Sequence, residues 1–351
     1  MGAPGLGVPR RVLIVDDSRT IRALLRATLD ADERLDVVGE AGDPYEARQL
    51  IKDLNPDVLT LDVEMPKMSG LEFLEHLMRL RPMPVVMVSS RTQERSEDAI
   101  RALSIGAVEC VDVRRVQGDA EQRARLSNAL YNASLAKVRG RADGARVSAP
   151  SGDRPAFRWN GKTVLIGSST GGVDALERVL SQFPADCPPT VIAQHMPASF
   201  LASFSERLNG HVAPDVQLAQ DLQKIERGQV RIAPGGTHHL VIDTRTQGKL
   251  RLETSDASDL YVPSVDKLFA SALPHAATSV GVVLTGMGSD GAQPLADLRV
   301  AGAMTLAQRG DTCVVDGMPR AARAAGAVTE EAGIDDMAAA ILRHTSKERP
   351  Q

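Results

Sequence analysis

The stretch VLIGSSTGGVDAL, residues 164–176, sets serine and threonine hydroxyls in a glycine-bracketed turn between an apolar run and a helical pattern. Such a turn either cradles a phosphate on backbone N–H groups or presents one hydroxyl as a nucleophile. A Walker loop needs a lysine after its last glycine, and here Val173 follows Gly171 and Gly172. The dinucleotide pattern fails as well, because Ser169 stands where its second glycine belongs. GSSTG does fit the spacing of a nucleophile elbow, with Ser169 midway between Gly167 and Gly171. A serine nucleophile needs a base, and the base needs an orienting carboxylate. His195 follows the apolar run PTVIAQ, and Asp290 follows another, in LTGMGSDG, where Gly286, Gly288 and Gly291 allow close backbone approach. The chain order Ser, His, Asp differs from the Ser, Asp, His order of α/β-hydrolases. His238 and His239 in APGGTHHL are rival bases from a similar location.

A second set of chemical residues lies in the first half. Asp16 and Asp17 end the run RVLIVDD, Asp62 ends VLTLD, and Ser89 falls in VVMVSS. Carboxylates gathered at one exposed end bind a hard cation such as Mg²⁺ through oxygen. With charge screened in this way, one carboxylate can attack phosphorus and form an aspartyl phosphate. Ser89 is then placed to hydrogen-bond the phosphoryl group.

The elements that must position these residues alternate. RVLIVDD, DVVGEAG, PDVLTLDVEMP, PVVMVSS and GAVECVDV read as strands, and stretches such as SRTIRALLRATLD between them as helices. In that helix Ile21, Leu24, Leu25 and Leu29 recur at helical spacing after the N-cap candidate Ser18. A further helix is predicted from about Gly118 to Val138. From Thr163 a second alternating series begins with TVLIG, PTVIAQHMP, QVRIAPGG, SVGVVLTGMGSDG and AGAMTLAQ. Alternation of this kind implies parallel sheets covered by helices, with ligands at the carboxyl ends of the strands. Between the series, GRADGARVSAPSGDRPAFR is rich in Gly, Pro, Ser, Ala and Arg without apolar periodicity, and reads as an exposed linker.

Bulk properties narrow the class. The 351 residues can fill two cores. With 41 basic against 45 acidic side chains, the net charge of −4 argues against a dedicated nucleic-acid binder. Cys110, Cys187 and Cys313 have no CxxC spacing, which fits a reducing compartment and neither a disulfide framework nor a cysteine zinc site. The sequence has no apolar run near the roughly 18 residues of a membrane span. MGAPGLGVPRR has no signal-peptide core, so a soluble cytoplasmic protein is expected.

The motifs IVDDS, LDVEMPKMSG and PVVMVSS resemble a response-regulator receiver domain over residues 10–135. That resemblance implies a flavodoxin-like fold, phosphorylation of Asp62 by a histidine kinase of the CheA type, and Mg²⁺ held by Asp16, Asp17, Asp62 and the backbone carbonyl of Glu64. GSSTGG, QHMP, APGG.H, PSVD.LF, LTGMGSDG and TLAQ…CVVDGMPRAA are similar, in order, to the catalytic domain of the chemotaxis protein-glutamate methylesterase family. The match spans residues 161–345, after a linker at 136–160. It implies a second, mostly parallel Rossmann-like α/β domain in which Ser169 is nucleophile, His195 base and Asp290 carboxylate. It also implies an oxyanion donor at the backbone of Met287, with Thr170 beside the nucleophile. The expected activity is a carboxylic ester hydrolase acting on glutamate methyl esters of methyl-accepting chemotaxis receptors, with glutamine deamidation as a second reaction and no cofactor for either.

Five positions depart from the family pattern. Val113-Arg114 stands where receivers carry Lys-Pro, and Cys110 occupies the aromatic switch position. Val262 replaces an arginine before PSVD, and Gly236 an aspartate after APG. The receiver changes predict weak phospho-control. They keep a rival reading open, a regulatory or binding module of a chemosensory pathway; an unrelated phosphate-binding α/β protein is a third.

Overall fold

The computed structural model describes residues 8–89, 96–112, 120–138, 157–243 and 249–347, in two compact units divided between Gly144 and Ala145. In the first unit β1 (Arg10–Val15), α1 (Arg19–Leu29), β2 (Leu35–Ala41), α2 (Pro44–Leu54), β3 (Val58–Asp62), α3 (Gly70–Leu80), β4 (Val85–Ser89), α4 (Ser96–Ile105), β5 (Glu109–Asp112) and α5 (Ala120–Ser134) alternate along the chain. The strands pair in parallel in the order β2-β1-β3-β4-β5. This is the flavodoxin-like order, whose direction reverses between β1 and β3, so the crevice opens at the ends carrying Asp16, Asp17 and Asp62. Val12 to Val15 are fully buried, as a strand covered on both faces requires. The Ser18 hydroxyl accepts from the Ile21 N–H and starts α1, as its sequence position predicts. At Gly70 a Cβ would lie 1.9 Å from the Asp62 carbonyl oxygen, so only glycine lets the loop fold back over the end of β3.

The second unit runs β6 (Thr163–Ser168), α6 (Gly172–Leu180), β7 (Thr190–Gln194), α7 (Ala198–Asn209), β8 (Asp215–Leu218), β9 (Gln229–Ile232), β10 (His238–Asp243), β11 (Lys249–Thr254), α8 (Val265–Ser271), β12 (Ser279–Val283), α9 (Ala292–Val300), β13 (Met304–Gln308), α10 (Met318–Ala324), β14 (Glu330–Ala332) and α11 (Ile334–Thr345). Seven strands form one parallel sheet in the order β14-β13-β12-β6-β7-β9-β8. The hairpin β10-β11 stands apart as an antiparallel pair that the alternating pattern does not announce. Helix α8 is too short to persist alone. Burial of Val265, Leu268 and Phe269 holds it in place, each contributing about 2 kcal/mol.

Some boundaries differ from expectation. The predicted helix from about Gly118 to Val138 is α5, Ala120–Ser134. The described part of the fifth strand ends at Asp112, and Val113 and Arg114 lie outside the described residues, as does most of the linker. Trp159 pairs with Ser346, and the Asn160 N–H donates to the Thr345 carbonyl at 2.9 Å, so the second unit is stitched end to end. The cysteines are free, and Cys187 and Cys313 are buried, which pushes both thiols up to about 12.

Candidate active site

In the second sheet β6 lies between β12 and β7, and the chain changes its direction of winding between β6 and β12. Such a switch point is where the loops leaving neighbouring strands part and open a crevice. Ser169 leaves β6, His195 leaves β7, and Asp290 closes the loop after β12, so adjacent carboxyl ends deliver all three.

His195 turns Nε2 to Asp290 Oδ2 at 2.7 Å, and both side chains are more than nine-tenths buried. Asp290 also accepts from the Val265 N–H on Oδ2 (2.7 Å), and from the Asp266 N–H (2.8 Å) and Ser264 hydroxyl (3.2 Å) on Oδ1. Burial raises the Asp290 pKa, but these donors and the imidazole outweigh it and hold the carboxyl below its usual range. An ionised Asp290 at the start of α8 fixes His195 as the Nε2–H tautomer. His195 Nδ1 is buried and has no partner among the described residues. No hydrogen bond joins it to Ser169 in this resting state; such contacts commonly tighten only with substrate bound.

Backbone and amide contacts frame Ser169. Its N–H donates to the Thr285 carbonyl at 3.0 Å. A Cβ on Gly286 would lie 2.7 Å from Ser169 Cβ, so the glycine lets the Gly286-Met287 backbone run against the serine. Among the described residues no acceptor takes the N–H of Thr170 or of Met287. Those N–H groups belong to two different loops, one leaving β6 and one leaving β12.

Gln194 and Gln308, which sequence reasoning passed over, tie these loops together. Gln194 accepts the Ser168 hydroxyl at 2.6 Å and donates Nε2–H to the carbonyls of Ser169 (2.9 Å) and His195 (3.0 Å). Gln308 accepts the Thr285 N–H at 2.8 Å, and the Thr285 hydroxyl reaches the Thr170 carbonyl at 3.0 Å. The available signal was a glutamine closing an apolar strand, because a buried amide must be hydrogen-bonded.

The rival histidines separate. His239 is fully buried; its Nε2 meets Asp259 Oδ2 at 2.9 Å and its Nδ1 accepts the Ser264 N–H at 3.0 Å. Both nitrogens are committed to structure, which leaves no lone pair for a substrate. His238 Nδ1 meets the neighbouring Thr237 hydroxyl at 3.0 Å. Val262 sits two residues before Ser264, and Gly236 in the turn entering β10.

In the first unit one carboxylate oxygen each from Asp16, Asp17 and Asp62 lies within 4.8 Å of the others. Asp16 is buried, and burial first, then Asp17, raise its pKa from 3.8 to about 6 against the Ser18 N–H and Arg22. A buried carboxylate crowded by a second one is a donor set that suits a hard divalent cation. Glu64 lies exposed in the loop after β3, and Ser89 closes β4, though its side chain is outside the described residues. Cys110 Sγ donates to the Ala99 carbonyl at 3.5 Å, and burial pushes its thiol well up.

The molecule therefore combines a flavodoxin-order unit with an acidic crevice and a second α/β unit with Ser, His and Asp at its switch point. The response regulator receiver domain model matches residues 12–114, and the CheB methylesterase model matches 164–341. The protein-glutamate methylesterase/protein-glutamine glutaminase 1 of Caulobacter vibrioides is 50% identical over 97% of this chain and 99% of its own. The protein-glutamate methylesterase/protein-glutamine glutaminase of Agrobacterium fabrum is 47% identical over 96% and 97%. The crystal structure of the Thermotoga maritima CheB methylesterase catalytic domain aligns with TM-score 0.50 and 32% identity, over 52% of this chain and 98% of that one. This chain belongs to the CheB methylesterase family, with an N-terminal receiver domain.

Proposed function

We propose that this protein is a phosphorylation-regulated protein-glutamate methylesterase. It hydrolyses glutamate methyl esters on methyl-accepting chemotaxis receptors and deamidates glutamine there. The observation that carries the reading is the buried His195–Asp290 pair, whose histidine leaves the strand paired with the one that delivers Ser169.

Ser169 Oγ attacks the ester carbonyl as its proton passes to His195 Nδ1, since Nε2 is committed to Asp290. The imidazolium so formed is stabilised by the ionised carboxylate. N–H groups of Thr170 and Met287 stabilise the oxyanion, typically about 3 kcal/mol per donor. The proton then goes to the methoxy oxygen, the C–O bond breaks, and methanol leaves. Water attacks the acyl-serine, gives His195 its proton, and collapse returns that proton to Ser169 and frees glutamate. With an amide substrate ammonia leaves in place of methanol.

In the receiver domain Asp62 is the phospho-acceptor, and its donor a histidine kinase of the CheA type. Asp16, Asp17, Asp62 and the Glu64 carbonyl would hold Mg²⁺, which when bound neutralises charge on the transferring phosphoryl group. Ser89 lies at the neighbouring strand end for a hydrogen bond to that group. Among the described residues no helix is long and apolar enough to cross a membrane. In this reading the protein acts on its receptors from the cytoplasm. Membranes bearing methylated receptors test the reading: the protein should release methanol from them, and a folded protein that releases none would refute it.

A further inference from the structure

We propose that Tyr261 is a positioning residue for His195: its ring holds the imidazole plane and stabilises the imidazolium as it forms. The proposal rests on the esterase reading above and deepens it. The two rings are stacked with centroids 4.3 Å apart and planes 5° from parallel. Among the described residues His195 has a single side-chain hydrogen bond, at Nε2, and one bond does not fix a ring plane. A flat aromatic face against the imidazole does. The face of a phenol ring is also electron-rich, so its attraction for the imidazole grows when the base takes up the Ser169 proton. An interaction stronger in the transition state than in the ground state raises kcat and leaves binding alone.

The segment that carries Tyr261 is clasped at both ends by one side chain. His239 Nε2 meets Asp259, and His239 Nδ1 accepts from Ser264, so a single buried imidazole closes residues 259–264 into a strap. Asp259 is held further by the Asp256 N–H at 2.7 Å and by Lys267 Nζ at 3.0 Å. Just beyond the strap, the N–H groups of Val265 and Asp266 reach Asp290, as does the Ser264 hydroxyl. The strap thus touches both members of the catalytic pair, Tyr261 on the base and Ser264 on its carboxylate. Leu260, the preceding residue, is 80% exposed, while Tyr261 turns inward and is half-buried.

The test compares Tyr261→Phe, Tyr261→Leu and Tyr261→Met in the full chain, with folding checked by circular dichroism. Methanol release gives kcat and KM, and the His195 ring-proton resonances give the stack directly. The phenylalanine protein should keep wild-type kcat. The leucine and methionine proteins should lose roughly fivefold in kcat with KM unchanged, the equivalent of one aromatic contact. In both, the His195 resonances should move downfield as the shielding ring is removed. Wild-type kcat in all three would overturn the proposal. So would equal losses in all three, which assign the effect to the hydroxyl, or a change confined to KM, which assigns it to substrate contact. If the wild-type protein releases no methanol the esterase reading fails, yet unmoved His195 resonances in Tyr261→Leu still refute the stack independently.

Discussion

Asp290 receives the His195 Nε2–H at 2.7 Å while three further donors, the Val265 and Asp266 N–H groups and the Ser264 hydroxyl, face the same carboxylate. These four groups all donate, so the site favours a side chain that presents lone pairs on both oxygens. Asp290→Asn would turn an NH₂ group against one of these donors and leave the imidazole tautomer unfixed. We expect kcat to fall by roughly 10⁴-fold, as for other triads that lose this carboxylate. Ser169→Ala and His195→Ala should each do the same with the fold retained, since triad members act as a unit. Steady-state methanol release with parallel circular dichroism checks this, and an Asp290→Asn protein within tenfold of wild type contradicts it.

Gln194 is the joint between β6 and β7, joining the Ser168 hydroxyl to the carbonyls of Ser169 and His195. The Ser169 carbonyl would keep the Gly172 N–H at 2.8 Å, but Gln194→Leu should leave the His195 carbonyl without this donor and the buried Ser168 hydroxyl without its acceptor, each worth about 1 kcal/mol or more. Thermal stability and kcat should therefore fall together. Lost stability with unchanged kcat would show that the strand ends hold their geometry without it.

Much of both sites was legible because strand-end residues announce themselves. Apolar runs ending in Asp16, Asp62, Ser169 and His195 mark the carboxyl ends of buried parallel strands, where side chains converge whatever their separation in sequence. What stayed hidden depends on pairings between distant residues. His239 looked as eligible a base as His195, and only its contacts with Asp259 and Ser264, 20 and 25 residues away, commit both its nitrogens. Tyr261 carried no signal for the same reason, because its partner lies 66 residues back across the sheet. The hairpin β10-β11 escaped because KLRLET follows no helix and so breaks the alternation that reveals parallel strands.

The raised pKa of Asp16 makes a signed prediction. Its folded value, about 6, exceeds its ordinary value of 3.8. The protonated carboxyl therefore favours the fold below pH 3.8, and that contribution is lost as pH rises through about 6. Without divalent cation, β1 in the wild type should lose about 2–3 kcal/mol relative to Asp16→Asn between pH 4 and 7. Amide exchange at Val12 to Val15 measures it, and Mg²⁺ should reverse the loss in the wild type only. Parallel curves for the two proteins would mean that Asp16 ionises freely.

Val113 stands where receivers carry a lysine that contacts the phosphoryl group. A ligand shifts an equilibrium only through its differential contacts, so the missing ammonium should weaken the response. Beryllofluoride, which mimics the phosphoryl group on Asp62, should stimulate the esterase weakly in the wild type and more strongly in Val113→Lys. Strong stimulation of both alike would show that the lysine contact is dispensable here.

A nucleophilic Ser169 must carry the acyl group for part of each turnover, and that intermediate can be trapped. A methyl-esterified receptor peptide is mixed with the protein, the reaction is quenched in acid within a turnover, and the 164–176 region is examined by mass spectrometry. An adduct on Ser169 with the mass of the peptide less methanol is expected, absent in Ser169→Ala, which should also release no methanol above background. Methanol release by Ser169→Ala at the wild-type rate, or an adduct on another residue, would contradict a nucleophilic Ser169.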